Sequence, residues 1–266
     1  MFGRRPFVVL NCAACGTHRI LPRALAEQSA AESLYNEYQA EFSEVELEKI
    51  KNNILRRCRQ VDMPFDSKKR VLDVGCGSGY VLNAVCDEFD CEGKGIDVDK
   101  RRIALARARA RRAEFECGLF DPARLGRPYD VILFNAVLEH VVDPVGFLQQ
   151  LNAALTPGGS LFVLTPNARS LSYRVLGSWW RELLSIGEHI YLFSPDSLAE
   201  CARQAGLKVV SFSSDYDLGT PRLELGSLRR VAISLWWCYR ESVKRVARRT
   251  GTSASGDILY ARLTKI

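Results

Sequence analysis

No apolar run in this 266-residue chain approaches the ~20 residues needed to cross a bilayer. The first apolar stretch, residues 7–10, is too short for the core of a signal peptide. A cytoplasmic protein is expected. The nine cysteines lack the dense spacing of a small disulfide scaffold, so reduced thiols are expected as well. No internal repeat is present, which argues against solenoids and propellers. Histidine is scarce: His18, His140 and His189 are the whole supply.

What is present fits a soluble globular chain, 47% hydrophobic and 26% charged, with enough apolar residues for a sizeable core. The net charge of +6 is localised. Residues 218–249 carry Arg222, Arg229, Arg230, Arg240, Lys244, Arg245, Arg248 and Arg249 against Glu224 and Glu241, which accounts for the whole surplus. A second basic run, residues 100–112, is interleaved with alanine and reads as the solvated face of a helix.

Along the chain, Phe42, Val45, Ile50, Ile54, Cys58 and Val61 recur at helical spacing until Pro64. From Arg70 onward short apolar runs alternate with helix-like segments. Strands are expected at 71–74, 95–98, 131–134 and 160–164, with helices at 80–89, 101–113 and 144–155. A helix at 195–205, a strand at 207–212 and a last strand at 257–264 complete the pattern. Strand and helix in alternation define a doubly wound, mostly parallel α/β sheet with helices on both faces. Such a sheet binds ligands beyond the carboxyl ends of its strands, where the strand order reverses.

The segment 71–74 runs straight into Gly75-Cys76-Gly77-Ser78-Gly79 and then a helix. Glycines allow a tight turn and close approach of a ligand, and the helix start offers unpaired amide donors. Asp97 ends the next strand, where a carboxylate can accept from both hydroxyls of a ribose. The pairing marks a nucleoside ligand. A dinucleotide loop needs G-x-G-x-x-G, but the sixth position from Gly75 is Tyr80. G-x-G-x-G preceded by an acid suits S-adenosylmethionine (SAM), whose ammonium Asp73 can face.

VLDVGCGSG at 71–79, GIDVD at 95–99, YDVILFNAVLEHVVDP at 129–144 and LTPGGSLFVLTPN at 155–167 occur in order, followed by EHIYLFSPDSLAECARQAGL at 188–207. Together they resemble the successive motifs of the class I SAM-dependent methyltransferases, over roughly residues 70–212. The quinone-biosynthesis and cell-surface-sugar branches are the most similar. The resemblance implies a Rossmann-like seven-stranded sheet with an antiparallel last strand. It also implies that Asp73, Gly75, Cys76, Gly77 and Gly79 surround the methionine part of SAM, Asp97 holds the ribose and Val98 packs on adenine. Gly118, Leu119 and Asn135 complete the expected cofactor set. Leu119 departs from the pattern, since many relatives carry an acid there; either Asp121 substitutes or that contact is missing.

Methyl transfer from a sulfonium depends mostly on positioning, and a base is needed only if the acceptor must lose a proton. Glu139, His140 and His189 are the catalytic candidates, His140 first because imidazole titrates near working pH. Bracing or capping by either histidine is the competing reading. The Asp/Asn-Pro-Pro-aromatic motif of nucleic-acid amino methyltransferases is absent after residue 135, as is the Pro-Cys motif of cytosine-C5 enzymes. No nucleic-acid partner is expected. The acceptor is read as a small-molecule, sugar or lipid-like compound, modified at oxygen; the alternative is a SAM-binding, catalytically silent module acting through association.

Residues 1–62 are read as an N-terminal segment and 63–266 as the methyltransferase domain, with an acceptor-side insertion at 168–190 and a basic amphipathic one at 218–250. Within the latter, tryptophans beside basic residues suit either a lid or dimer surface packed on the domain, or peripheral contact with anionic lipid. Cys12 and Cys15 form one metal knuckle, but tetrahedral zinc needs four ligands. No zinc is expected unless His18 and another residue, or a partner chain, complete the site. Oligomeric state is not legible.

Overall fold

The computed structural model describes residues 7–22, 44–177, 180, 189–216 and 255–266. Strands β1 (Phe7–Asn11) and β2 (His18–Pro22) form a hairpin. Helix α1 (Glu44–Gln60) follows, then β3 (Arg70–Val74), α2 (Tyr80–Phe89), β4 (Glu92–Asp97), α3 (Lys100–Ala108), β5 (Ala113–Cys117) and β6 (Tyr129–Asn135). Helix α4 (Pro144–Ala154) leads to β7 (Leu155–Pro166), the short α5 (Leu171–Leu176) and β8 (Tyr191–Leu192). Helix α6 (Pro195–Gln204), β9 (Leu207–Asp215) and β10 (Ile258–Lys265) close the order.

Seven strands form one sheet in the order β5-β4-β3-β6-β7-β10-β9. The first five run parallel, and β10 lies antiparallel between β7 and β9. The strand order reverses between β3 and β6, whose register places Asp73 opposite Leu133. The expected α/β architecture and antiparallel last strand are both present. Apolar runs such as Val131 to Phe134, wholly buried, belong in a sheet covered on both faces. One core face gathers Leu148 and Leu151 of α4 with Leu198 and Ala202 of α6. The other gathers Ile54 and Cys58 of α1 with Leu82 of α2 and Ile103 of α3.

Helix α1 is fastened to the far edge of the sheet. Arg57 donates twice to Asp215, both at 2.9 Å, and Arg56 donates to the same carboxylate. Burial works to raise the Asp215 pKa, but the bonds and charges of Arg57 and Arg56 together outweigh it and hold the carboxyl below its ordinary range. The Tyr260 hydroxyl donates to Gln60 Oε1 (2.5 Å), and the Arg57 guanidinium lies 5.8 Å from the Tyr260 ring centre.

Several elements depart from the sequence reading: the hairpin strands β1 and β2 and the short β8 were not expected, and the helix read over 101–113 ends at Ala108, short of the turn that leads into β5. Strand β5 was not expected, because AEFEC alternates buried and exposed residues at the sheet edge and its acids disguise the pattern. Strand β7 begins at Leu155 rather than 160; Leu155 pairs with Tyr129 and pairing with β6 resumes at Ser160 opposite Val131, so residues 156–159 bulge between the two paired positions. Residues 178–179 and 181–188 of the first insertion and the whole of the second, within the stretch 217–254, lie outside the described residues. Among the described residues no helix is long and apolar enough to cross a membrane.

Candidate active site

The loop after β3 and the turn after β6 flank the reversal of strand order, the place where an open α/β sheet leaves a crevice. The Gly75 and Cys76 amides donate to the Ile96 carbonyl at 2.8 and 3.2 Å, which fastens the loop to β4. Gly77 has φ +53, and a side chain added there would meet nothing nearer than 4.0 Å, the Arg102 side chain. That position leaves room beside the backbone. Gly79 is the opposite case: its φ is +76, and a Cβ would lie 2.6 Å from the Phe115 ring.

Asp97, 6% exposed, accepts from the Gly77 amide through Oδ2 (2.8 Å) and from the Asp99 amide through Oδ1 (2.9 Å). Each oxygen retains a second lone pair for a hydroxyl donor. Asp73 is 1% exposed at the end of β3. Burial, with the Asp97 charge as a lesser cause, pushes its carboxyl up to about 8. A cation brought beside it would relieve both effects.

Cys76 is buried in the core with its sulfur against Gly95, so only its backbone is left to face the crevice. Burial, then the charges of Asp73 and Asp97, drive its thiol far above the ordinary range, and it is no nucleophile. Val98 and Leu119, by contrast, are 59% and 81% exposed. They follow β4 and β5, which are tied together there by the Gly118 amide donating to the Asp97 carbonyl (2.9 Å). Two exposed apolar side chains at that edge offer a surface to a flat ring. Asp121 caps a short 3-10 turn by accepting from the Ala123 amide (2.9 Å).

Beyond β6, Asn135 is half-buried and pairs with Leu164. Ala136 adopts φ +55, a strained conformation for a residue with a side chain. It is fixed by its amide donating to the Leu164 carbonyl (2.9 Å). This kink starts the 3-10 turn Leu138–His140, and it also lays Val137 over Gly75, where a Cβ would fall 2.4 Å from Val137 Cγ2. The glycine loop and the Glu139-His140 turn are thus neighbours. Neither Ala136 nor Val137 was anticipated from sequence; nothing in an alanine or a valine advertises such a role.

The structure brings all three catalytic candidates together. The His140 and His189 rings lie 4.9 Å apart at 55°. Glu139, 1% exposed, accepts at its backbone carbonyl from the Ile190 amide (2.7 Å), which brings the chain bearing His189 to the turn. One ligand-capable atom from each of Glu139, His140 and His189 falls within 4.8 Å of the others. Two imidazoles and a carboxylate at this separation can relay a proton or hold a divalent cation.

A seven-stranded sheet of this order, with a glycine loop and a strand-end acid at its reversal, defines the nucleoside-binding, Rossmann-like class of α/β proteins. The chain belongs to the methyltransferase domain family, whose pattern it matches over residues 41–212. It is 32% identical over 158 residues to the ubiquinone biosynthesis O-methyltransferase of Cereibacter sphaeroides, covering 56% of this chain and 63% of that one. To the enzyme of the same name from Bordetella bronchiseptica it is 33% identical over 153 residues, 53% of this chain and 63% of the relative. The match thus spans less than two thirds of these relatives.

Among solved structures, a chain of the complex between the Haloferax volcanii Trm112 methyltransferase activator and a methyltransferase aligns with TM-score 0.57. The identity is 20%, over 84% of this chain and 94% of that one. The O-methyltransferase NcsB1 from neocarzinostatin biosynthesis, solved with S-adenosylmethionine and 2-hydroxy-5-methyl naphthoic acid, aligns with TM-score 0.52. That identity is 19%, over 83% of this chain and 56% of that one. At such identities the likeness is one of fold.

Proposed function

We propose that this chain transfers a methyl group from SAM to a hydroxyl of a small-molecule, sugar or lipid-like acceptor. The observation that carries the reading is the pairing of the open Gly77 backbone with the Asp97 carboxylate at the reversal of strand order. The donor set fits SAM: a buried acid for an ammonium, a carboxylate with lone pairs for ribose hydroxyls, and exposed apolar side chains for a purine. When bound, SAM supplies a methyl group on an already activated sulfonium. Asp73 would ionise against the ammonium, the glycine loop would admit the methionine part, and Asp97 would orient the ribose. Val98 and Leu119 would flank the adenine, with Gly118 and Asn135 lining the crevice.

At the acceptor, His140 or His189 takes the hydroxyl proton while Glu139 fixes the turn that carries His140. The names of the two relatives support oxygen as the acceptor atom. The test is turnover of wild type, His140→Ala and His189→Ala across phenolic, sugar and lipid-like hydroxyl acceptors, alongside SAM affinity. Loss of one base should lower kcat about 10²- to 10⁴-fold and leave SAM affinity unchanged. In wild type the rate should rise with pH as the base loses its proton, and that limb should vanish in the variant lacking it. Full activity in both variants would remove the base from the mechanism.

The 4.8 Å cluster of Glu139, His140 and His189 favours a second reading, in which these three residues would hold a divalent cation that would supply Lewis-acid activation of the acceptor hydroxyl. Activity abolished by chelation and restored by added metal would select it over the base. The same proposal places the enzyme in the cytoplasm, with residues 218–250 read first as a lid or dimer surface and second as a contact for anionic membrane. Equal pelleting on anionic liposomes with and without that segment would end the membrane part.

A further inference from the structure

The hairpin turn between β1 and β2 has no part in the methyl-transfer site, and its chemistry is specific. The Cys12 amide donates to the Thr17 carbonyl (2.9 Å) and the Gly16 amide to the Cys12 carbonyl (2.8 Å), closing the turn with Gly16 at φ +70. Within it Cys12 and Cys15 flank the Ala13-Ala14 turn, and polar groups of Cys15 first, then Ala14, hold the Cys12 thiol below its ordinary range. Cys12 is exposed and Cys15 half-buried beside the Thr17 hydroxyl (3.1 Å). Redox dithiols commonly draw activation from a helix N-terminus. Two thiols three positions apart on a closed hairpin turn, one exposed and one half-buried, instead make a chelating pair for a soft divalent cation.

Tetrahedral zinc takes four such ligands, and among the described residues this turn has two to give. His18 turns its ring edge-on to Tyr173 at 5.7 Å, with Nδ1 buried. Among the described residues no His, Asp or Glu joins the two cysteines in a ligand cluster. Cys58, Cys76, Cys86, Cys91 and Cys201 are buried elsewhere, Cys117 sits against the Val98 carbonyl, and Cys238 lies outside the described residues. The sequence holds no second Cys-x-x-Cys pair. The hairpin itself presents an edge: in the sheet order β1-β2-β8, β1 has one side without a partner strand among the described residues. On that strand Val8 and Leu10, on one face, are 44% and 49% exposed, an apolar edge of the kind that pairs with another chain.

We propose that Cys12 and Cys15 are half of a four-thiolate zinc site, completed by the same pair from a second copy of this chain, with the β1 edges meeting beside the metal. A twofold axis through the ion makes the contact self-complementary.

The test uses the full chain, reduced and stripped with a chelator, then titrated with Co²⁺ followed by Zn²⁺ while its mass is followed in solution. One cobalt ion per pair of chains is expected, with thiolate-to-cobalt charge-transfer absorption and tetrahedral visible bands that zinc bleaches. Dimers should form as metal loads. Cys12→Ser and Cys15→Ser should abolish the bands and the dimer while still binding S-adenosylhomocysteine, which shows that they fold. His189→Ala should keep the bands, separating this site from the histidine cluster. One metal per chain in a monomer, no thiolate absorption, or bands surviving in Cys12→Ser would each overturn the proposal.

Discussion

Asp73 carries a cost in the free protein that its ligand would remove. Its carboxyl titrates near 8 in the fold against an ordinary 3.8, chiefly through burial. Between those values the folded chain holds a proton that the unfolded chain releases, so this group makes stability fall as pH rises through that interval. Thermal melts from about pH 5 to pH 9 should show the decline, and Asp73→Asn should flatten it and raise the melting temperature at the alkaline end. The same substitution should weaken SAM binding about 10- to 100-fold, the worth of a charge-assisted hydrogen bond. A variant more stable and equally tight would show that Asp73 does not face the ligand. Asp73, Asp97 and the glycines were legible in the sequence because their spacing is local: strand, turn, helix and strand follow within thirty residues. Ala136 and Val137 were not. Their importance comes from a positive φ and from packing on Gly75 across the sheet, which exist only once β3 and β6 are adjacent.

At the scale of elements, the N-terminal end of α2 shapes the crevice and the clasp of α1 holds the far edge of the sheet. Gly79→Ala sets a Cβ in a left-handed conformation and 2.6 Å from Phe115, and should cost about 3 kcal/mol, read as a shifted denaturant midpoint. Arg57→Ala leaves the Asp215 carboxylate to Arg56 alone and should cost about 2–3 kcal/mol, since Arg57 and Asp215 are largely withdrawn from solvent. Because the Asp215 pKa is depressed, the wild-type contribution is present above the ordinary carboxylate range and disappears as pH falls through the lowered value. The stability difference between wild type and Arg57→Ala should therefore shrink in acid. Buried strands and amphipathic helices could be read from periodicity. Strand β5 escaped because an edge strand with one wet face carries Glu114 and Glu116, and the α1 to β9 contact escaped because its partners are about 158 positions apart.

For the whole molecule, the sheet order matters more than any one strand. It reverses between β3 and β6, so the two loops richest in chemistry, one with the glycines and one with Glu139 and His140, leave the same end of the sheet side by side. The β8 strand then brings His189 to them, and β2 of the hairpin pairs with β8 at His18 and Arg19. The alternation of strands and helices made this architecture readable. The meeting of His140 with His189 could only be guessed, because the intervening residues do not encode their path in any periodicity. The central claim is that the Gly75 to Gly79 loop and Asp97 hold SAM. Calorimetric titration of S-adenosylhomocysteine and of NADH into wild type and Asp97→Ala, each shown folded by its melt, tests it most directly. Saturable one-to-one binding of S-adenosylhomocysteine alone, lost in Asp97→Ala, is the predicted result; binding of NADH instead, or S-adenosylhomocysteine affinity untouched by the substitution, would contradict it.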